Sequence, residues 1–334
     1  MRAAVWTDRR NLEVVDRPTP EPKPGWVRVR VERVGICGSD LHFLSGAFPS
    51  AAGLLPGHEV GGTIDAYGDL LPGATPLPVG TPVCVEPLTG CGWCSYCSVG
   101  HYHYCAKRQI FGMTGRGGMA EFMTIPATRV YPLPAGVAPA DGALVEPAAV
   151  CVRGVRLGGV SLGSRVAILG TGSIGLVAIL AARTAGAQEV AFTTRHPAQR
   201  ELALAFGGTE LDNAATEQYD VVIETVGGHA DTLNQAIGLG RPGATIAVLG
   251  VFDGQVSIDG FTMGQKELRI VNSNCYARVD DTHSDFDIGL CLFRTQLDAL
   301  RQLVTHRFPL ERVNDAFAAA ADKTTGSIKV VVEP

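Results

Sequence analysis

Four cysteines in the first half of the chain have the spacing of a metal-binding loop. They follow the pattern C-x2-C-x2-C-x7-C and are Cys91, Cys94, Cys97 and Cys105. Four thiolates within one loop close a tetrahedral shell around Zn²⁺ and leave no position for a substrate. The spacing therefore predicts a structural zinc site. The alternative, cysteines that only pack or face solvent, rarely produces two such short gaps in tandem.

A glycine-rich turn in the second half has the pattern that holds a dinucleotide. It is a G-x-G-x-x-G made of Gly170, Thr171, Gly172, Ser173, Ile174 and Gly175. The motif follows an apolar run at 166–169 and opens a helix-like stretch at 174–184, which is the context that the mechanism requires. Glycines let the backbone approach the pyrophosphate, and amides at the helix N-terminus meet its charge. The motif predicts a nucleotide site rather than a plain tight turn.

The position that selects between NAD and NADP lacks its usual acid. NAD enzymes end the second strand with Asp or Glu, which binds both ribose hydroxyls, whereas Thr194 stands at that place here. Arg195 follows directly, and Arg200 lies shortly after it. A hydroxyl and guanidinium groups suit a 2′-phosphate, which a carboxylate would repel. The pattern favours NADP; the alternative is two solvated arginines at a helix start in an enzyme that uses NAD.

The elements around these motifs differ between the two halves of the chain. Residues 27–32 alternate strictly between apolar and polar, which predicts a strand with one buried face. Beyond about residue 163, short apolar runs at 166–169, 190–192, 221–223 and 245–249 alternate with helix-like segments. Such runs predict a parallel sheet with right-handed crossovers. A helix at 312–322 and a strand at 328–332 are expected to pack back on the first domain.

Three further residues lie in short segments that are informative only together. Cys37 lies in Gly-Ile-Cys-Gly-Ser-Asp-Leu-His, His58 in Pro-Gly-His-Glu, and Glu146 in Leu-Val-Glu-Pro. Taken singly, a small cysteine is usually a packing residue. With the four-cysteine loop and the glycine motif, their order along the chain resembles the zinc-containing medium-chain dehydrogenases. The resemblance runs from end to end and is strongest to the polyol (sorbitol-like) and threonine dehydrogenase branch.

The resemblance implies roles for these residues. Cys37 and His58 are expected to bind a catalytic zinc, so that each chain holds two Zn²⁺ ions. Glu146 would supply the third protein contact directly or through water, and Glu59 is an alternating ligand in some relatives. Three ligands leave an open position where zinc acts as a Lewis acid on an alcohol. Ser39 would take the alcohol proton and His42 would pass it to solvent.

The resemblance also implies the architecture and the reaction. A GroES-like β-barrel catalytic domain is expected at 1–148, with its zinc lobe at about 84–110. A Rossmann doubly wound domain follows at 149–290, and 291–334 returns to the first domain. Val226 and Gly250 are expected to give backbone contacts to the nicotinamide. The expected enzyme transfers hydride between a secondary alcohol or polyol (or the ketone) and NAD(P), as a homodimer or homotetramer.

Two alternatives remain open at this stage. An aldose 1-dehydrogenase or a threonine-type dehydrogenase would share every motif, because zinc ligands report the reaction and not the shape of the substrate. A catalytically silent NADP(H)-binding relative would bind cofactor without turnover. Such relatives commonly lose their metal ligands, whereas this chain keeps Cys37, Ser39, His58 and Glu146.

Composition and charge exclude several other classes of protein. The chain has 334 residues, of which 46% are hydrophobic and 18% charged, and it contains 41 glycines. This composition argues against a disordered, coiled-coil or collagenous chain and fits about two globular domains. A formal charge of −5 gives no drive toward nucleic acid or anionic lipid. The uncharged stretch 166–182 is too short for a membrane helix, and no signal peptide is evident, so we expect a cytoplasmic protein.

Overall fold

A computed structural model describes residues 1–7, 11–48, 52–212 and 214–334. The strands in this part of the chain are β1 (Arg2–Trp6), β2 (Leu12–Asp16), β3 (Trp26–Gly35), β4 (Glu59–Tyr67), β5 (Pro82–Val85), β6 (Leu88–Thr89), β7 (Gln109–Ile110), β8 (Phe122–Pro126), β9 (Val130–Pro132), β10 (Arg165–Leu169), β11 (Glu189–Phe192), β12 (Thr209–Glu210), β13 (Tyr219–Glu224), β14 (Gly240–Val248), β15 (Arg269–Asn272), β16 (Val304–Pro309) and β17 (Lys329–Glu333). The α-helices are α1 (Gly38–Ser45), α2 (Ser95–Ser98), α3 (Val145–Gly158), α4 (Ser173–Thr184), α5 (Pro197–Ala205), α6 (Thr232–Leu239), α7 (Gly260–Gln265), α8 (Asp285–Arg301) and α9 (Val313–Ala321).

The chain forms two compact units. The first comprises Met1–Glu146 and Leu303–Pro334, and the second comprises Pro147–Gln302. The return to the first unit therefore begins at Leu303 and not at residue 291. Residue 291 lies inside α8, which is kinked at Gln296 but belongs to the second unit up to its end at Arg301. Within the described residues, no helix combines the length and apolar character that crossing a membrane requires.

The first unit is built on a mainly antiparallel sheet. Its described strands pair in the order β16-β17-β3-β4-β5-β9, with β8 also paired to β3. The alternation predicted at 27–32 is confirmed, because Val27, Val29 and Val31 face the core while Arg30 and Glu32 are exposed. The C-terminal strand β17 lies antiparallel to the end of β3, where Gly35 pairs with Val331. This pairing brings the two distant ends of the unit together.

The second unit carries the predicted parallel sheet. Its described strands have the order β12-β11-β10-β13-β14-β15, and every neighbouring pair is parallel. The chain moves outward from β10 through β11 and β12, and then crosses to β13 on the other side of β10. The carboxyl ends of β10 and β13 thus form the point at which the strand order reverses. Open α/β sheets bind their ligands at this point.

A buried carboxylate fastens α8 to α3 within the second unit. Asp285 is fully buried and accepts hydrogen bonds from Arg153 Nη1 at 2.8 Å and Arg156 Nε at 2.9 Å. Its Oδ2 also accepts one from the backbone N–H of Ala277 at 2.9 Å. Both guanidinium groups would lose their shared partner if this carboxylate were removed.

We predict that Asp285→Ala lowers the free energy of unfolding by about 3–5 kcal/mol, because it removes the counter-charge of the buried Arg153 and of the half-buried Arg156. Urea denaturation followed by circular dichroism measures this loss. Asp298→Ala is the matched control, since Asp298 forms only an exposed ion pair with Arg301, and should cost less than about 1 kcal/mol. Equal, small losses in both variants would contradict the assignment.

Candidate functional site

The four predicted cysteines meet in one cluster. The Sγ atoms of Cys91, Cys94, Cys97 and Cys105 all lie within 4.8 Å of one another, and those of Cys91 and Cys97 are 4.0 Å apart. Tetrahedral zinc, with Zn–S bonds of about 2.3 Å, places its sulfur ligands about 3.8 Å apart. The cluster therefore has the size and the donor set that a structural zinc requires.

The charges of this cluster also fit a cation. A hydrogen bond from the Trp93 backbone lowers the pKa of the Cys91 thiol to about 6. Burial raises the pKa of Cys97 to about 11. Backbone N–H groups of Cys91 and Lys107 donate to Cys105 Sγ at 3.4 and 3.3 Å. The peptide groups thus favour thiolates, but only a cation allows neighbouring thiols to ionise together.

A buried carboxylate that sequence reasoning missed attaches this loop to the first sheet. Glu86 directly follows β5 and is fully buried. Its Oε1 accepts hydrogen bonds from Tyr102 Oη at 2.6 Å and Arg129 Nη1 at 2.8 Å, and its Oε2 from Tyr131 Oη at 2.7 Å. Burial and the carboxylate raise the pKa of Tyr102, which keeps the phenol protonated as a donor. Because Tyr102 lies between Cys97 and Cys105, Glu86 holds the cysteine loop in place.

A second group of potential metal ligands lies where β3 and β4 meet. Cys37 is the N-cap of α1, just beyond the end of β3, while His58 immediately precedes β4 and Glu59 begins it. One ligand atom from each of these three residues lies within 4.8 Å of the others. Gly35 pairs with Glu59 across the strands, and a Cβ on Gly35 would lie 1.8 Å from Glu59 Oε2. Only glycine at position 35 leaves room for this carboxylate.

Asp40 supports both Cys37 and His58. Its Oδ2 accepts a hydrogen bond from the Cys37 backbone N–H at 2.9 Å, and its Oδ1 lies 3.8 Å from His58 Nδ1. Burial raises the pKa of the Asp40 carboxyl. Burial lowers the pKa of His58, but Asp40, Cys37 and Glu146 together outweigh this effect, so the net pKa is raised. At 3.8 Å, Asp40 Oδ1 and His58 Nδ1 interact electrostatically but do not form a hydrogen bond.

The partner of Glu59 is a residue that sequence reasoning missed. Lys329 on β17 is 2% exposed, and its Nζ donates to Glu59 Oε1 at 2.7 Å and Oε2 at 2.8 Å. It also donates to the Ile36 carbonyl at 3.3 Å. Burial lowers the pKa of Lys329, but the charge and hydrogen bonds of Glu59, with smaller contributions from Cys37 and Glu146, outweigh this effect, so the net pKa is raised. Both oxygens of Glu59 are therefore engaged by an ammonium group.

The remaining predicted residues of this site lie on α1 and α3. Glu146 is buried in the first turn of α3, and its charge contributes to the raised pKa of His58. Among the described residues, however, the group within 4.8 Å contains Glu59 and not Glu146. Ser39 Oγ lies 3.8 Å from Cys37 Sγ. His42 stacks on Phe48 at 5.0 Å and, three positions after Ser39, lies on the same face of α1.

The glycine motif of the second unit has the conformation that close backbone approach requires. Gly170 has a φ of +91°, and a Cβ on Gly175 would lie 1.9 Å from the Gly170 carbonyl oxygen. Gly172 is the N-cap of α4, with open space where its Cβ would be. Ser173 and Ile174 follow in the first turn of the helix, where the glycine N-cap offers no side-chain acceptor to the N-terminal amides. This arrangement fits a pyrophosphate.

The predicted 2′-phosphate residues differ in their surroundings. Thr194 is half-buried and its hydroxyl donates to the His196 carbonyl at 3.4 Å, while Arg195 is exposed. Arg200 forms a two-pronged ion pair with Glu210 on β12, with Nη2 and Oε2 3.1 Å apart. Glu210 was not considered at the sequence level because it belongs to a different strand. Arg200 is thus already paired with a protein carboxylate in this structure.

We predict that Cys91→Ser lowers the zinc content by one ion per chain, because an alcohol is a poor zinc ligand and the tetrahedral shell is then incomplete. Atomic emission of dialysed protein measures the content. The matched control is Cys291→Ser, which replaces an exposed free cysteine and should leave the content unchanged. Unchanged zinc in Cys91→Ser would contradict a site in this cluster.

We predict that Lys329→Met destabilises the protein by about 3–5 kcal/mol, because it leaves the Glu59 carboxylate buried without a counter-charge. The double variant Lys329→Met with Glu59→Gln should recover part of this loss. Denaturant titrations of the two single variants and the double variant give the coupling free energy. Strictly additive losses would show that the pair is not coupled.

Comparison with known proteins identifies the family of the chain. The family description "Alcohol dehydrogenase GroES-like domain" matches residues 23–135, and "Zinc-binding dehydrogenase" matches residues 173–288. The 2-dehydro-3-deoxy-L-galactonate 5-dehydrogenase of Pseudoalteromonas atlantica is 30% identical over 100% of this chain and 98% of its own. The sorbitol dehydrogenase of Bacillus subtilis is 28% identical over 100% of this chain and 97% of its own.

Solved structures agree with this relationship. A zinc-binding dehydrogenase of Sinorhizobium meliloti 1021 bound to NADP has a TM-score of 0.87 and 30% identity, covering 100% of this chain and 99% of its own. An alcohol dehydrogenase of Escherichia coli CFT073 complexed with NADH has a TM-score of 0.89 and 26% identity, with the same coverage. The predicted combination of a GroES-like and a Rossmann domain is confirmed. The chain belongs to the zinc-dependent medium-chain alcohol dehydrogenases, in their polyol dehydrogenase branch, and is an oxidoreductase.

Proposed function

We propose that this enzyme oxidises a secondary alcohol or polyol with NADP as the preferred acceptor, or reduces the corresponding ketone. The observation that carries the proposal is the group at the junction of β3 and β4. Cys37 and His58 lie close enough to share a metal, while the neighbouring Glu59 is engaged by Lys329. A metal held there keeps a position for substrate, which the four-cysteine cluster does not.

The proposed catalytic zinc has Cys37, His58 and Glu146 as its protein ligands. Glu146 takes the third position because both oxygens of Glu59 accept hydrogen bonds from Lys329. The Asp40 carboxylate lies 3.8 Å from His58 Nδ1, where its charge interacts favourably with the imidazole, and it accepts a hydrogen bond from the Cys37 backbone N–H. With the four-cysteine cluster, this gives two zinc ions per chain.

The chain's own residues supply the path for the proton. Zinc bound at the open site supplies Lewis acidity, which lowers the pKa of the substrate hydroxyl. Ser39 accepts the hydroxyl proton while it donates its own, since a hydroxyl group can do both. His42 lies on the same face of α1 as Ser39 and is half-buried. We therefore propose that it receives the proton and releases it to solvent.

NADP is the proposed cofactor because of the residues that follow β11. Thr194 stands where an NAD enzyme places its acid, and the exposed guanidinium of Arg195 follows it. A 2′-phosphate would accept charge-assisted hydrogen bonds from Arg195. Arg200 contributes less, because Glu210 already neutralises it.

The proposed assembly is a homo-oligomer. β15 ends the described parallel sheet and leaves one edge without a strand partner. Val256, Ile258 and Phe261, on the segment before β15, are exposed. A second copy of the chain that pairs along this edge would cover both features.

We predict that the wild-type enzyme reduces NADP in the presence of a secondary alcohol or polyol, and that Cys37→Ser abolishes turnover by removing a zinc ligand. Absorbance of the reduced nicotinamide is followed across a panel of secondary alcohols, polyols, aldoses and L-threonine. Cys291→Ser, the matched control, should retain full activity. Turnover that survives in Cys37→Ser would contradict the open zinc site, and turnover only with an aldose or L-threonine would contradict the substrate class.

We predict that Arg195→Ala raises the KM for NADP about 10- to 100-fold, as loss of a hydrogen bond to a charged group implies. The KM for NAD should change less than twofold, because NAD has no 2′-phosphate. Arg200→Ala provides the comparison and should have the smaller effect on NADP. Equal effects of Arg195→Ala on both cofactors would contradict the phosphate assignment.

A further inference from the structure

Glu224, the last residue of β13, is a buried carboxylate that neither the zinc chemistry nor the ion pairs of the fold explain. It is 0% exposed. Its Oε1 accepts hydrogen bonds from the backbone N–H groups of Val226 at 2.7 Å and Gly227 at 2.9 Å. The Thr232 hydroxyl donates to the same oxygen at 2.8 Å. The donors are all uncharged.

The second carboxylate oxygen is left without a partner. Oε2 is buried and has no hydrogen bond in the structure. A Cβ on Gly250 would lie 2.3 Å from it, so Gly250 is the residue that leaves it space. A buried polar atom without a partner is unfavourable, and such atoms in native structures call for an explanation. An apolar side chain at position 224 would avoid the cost of the unpaired oxygen, but it could not accept hydrogen bonds from the Val226 and Gly227 amides.

The segment around Glu224 joins three loops at the carboxyl edge of the parallel sheet. Its own carbonyl accepts hydrogen bonds from Leu249 N at 2.8 Å and Gly250 N at 3.1 Å, beyond β14. The Thr225 hydroxyl donates to the Gly170 carbonyl at 3.0 Å, beyond β10. Val226 closes against the same glycine, since a Cβ on Gly170 would lie 2.5 Å from Val226 Cγ2. The carboxylate therefore determines how the loop after β13 sits between its neighbours.

The order of the strands assigns parts of a dinucleotide to these loops. The glycine motif after β10 accepts the pyrophosphate, and Thr194 after β11 lies on the side of the adenosine ribose. The remaining half of the dinucleotide must extend the other way, over the ends of β13 and β14. The loop that Glu224 holds, at 226–228, lies at the end of β13.

We propose that Glu224 is a positioning residue for the nicotinamide half of the cofactor. It acts through the backbone of Val226 and Gly227, which it holds in the conformation that receives the nicotinamide ribose. Glu224 does not touch the cofactor itself, because it is fully buried. The inference rests on the proposed function, since it requires a dinucleotide across this edge.

Binding of cofactor fragments tests the proposal without catalysis. The dissociation constants of NADPH and of 2′-phospho-ADP-ribose, which lacks the nicotinamide, are measured by calorimetry. Glu224→Ala should raise the dissociation constant of NADPH at least 10-fold and change that of the fragment less than twofold. Glu224→Gln keeps the Oε1 acceptor and should weaken NADPH by less than Glu224→Ala.

The outcomes separate this inference from the function on which it rests. If Glu224→Ala fails to fold, Glu224→Gln and Thr232→Val carry the test, because Thr232→Val removes one anchor of the carboxylate. Each variant should raise the dissociation constant of NADPH about threefold and leave that of the fragment unchanged. Equal weakening of both ligands, or unchanged NADPH binding, overturns the positioning role. A wild-type enzyme that binds neither NADPH nor NADH overturns the proposed function and this inference with it.

Discussion

The ion pair between Lys329 and Glu59 is the interaction on which the arrangement of the proposed catalytic site depends. A lysine that is 2% exposed and a carboxylate that is 0% exposed meet beside Cys37 and His58, the two side chains that we propose as zinc ligands. Neither charge would be tolerated there alone. Because Lys329 lies on β17, the C-terminal strand must pair with β3 before the site is complete. The ammonium also neutralises Glu59, one of the two acids near the proposed zinc site, which leaves Glu146 as the ligand that we propose.

Buried carboxylates hold other functional segments by the same principle. Glu86 fastens the cysteine loop through two phenols and a guanidinium. Glu224 holds a loop at the edge of the parallel sheet through two amides and a hydroxyl. An ionised or hydrogen-bonded carboxylate accepts several donors at once, so one residue defines the position of several backbone groups. In each unit, a loop to which we assign a function is therefore held in position by hydrogen bonds to a buried carboxylate.

Patterns within single segments of the sequence predicted most of the fold, but they predicted few of the long-range contacts that support the candidate site. The strand at 27–32, the parallel sheet and the four-cysteine cluster depend on spacing within one segment, and the structure contains them. Lys329 lies 270 residues from Glu59, and nothing near either residue indicates the pairing. The ion pair of Arg200 with Glu210 likewise needs two adjacent strands. The unit boundary at Leu303 differs from the expected one at residue 291 because it depends on which unit α8 packs in, which the residues near 291 do not indicate.

We propose that Glu59 stays paired with Lys329 while Glu146 completes the catalytic zinc site. Anomalous diffraction at the zinc absorption edge, from crystals of the purified enzyme, shows which acid binds the metal. We expect one zinc peak among the four cysteines and a second bound by Cys37, His58 and Glu146, directly or through water. Glu59 should remain on the Lys329 ammonium. A second peak with Glu59 as its ligand and Lys329 displaced, or no peak beside Cys37, would show that this ligand set is wrong.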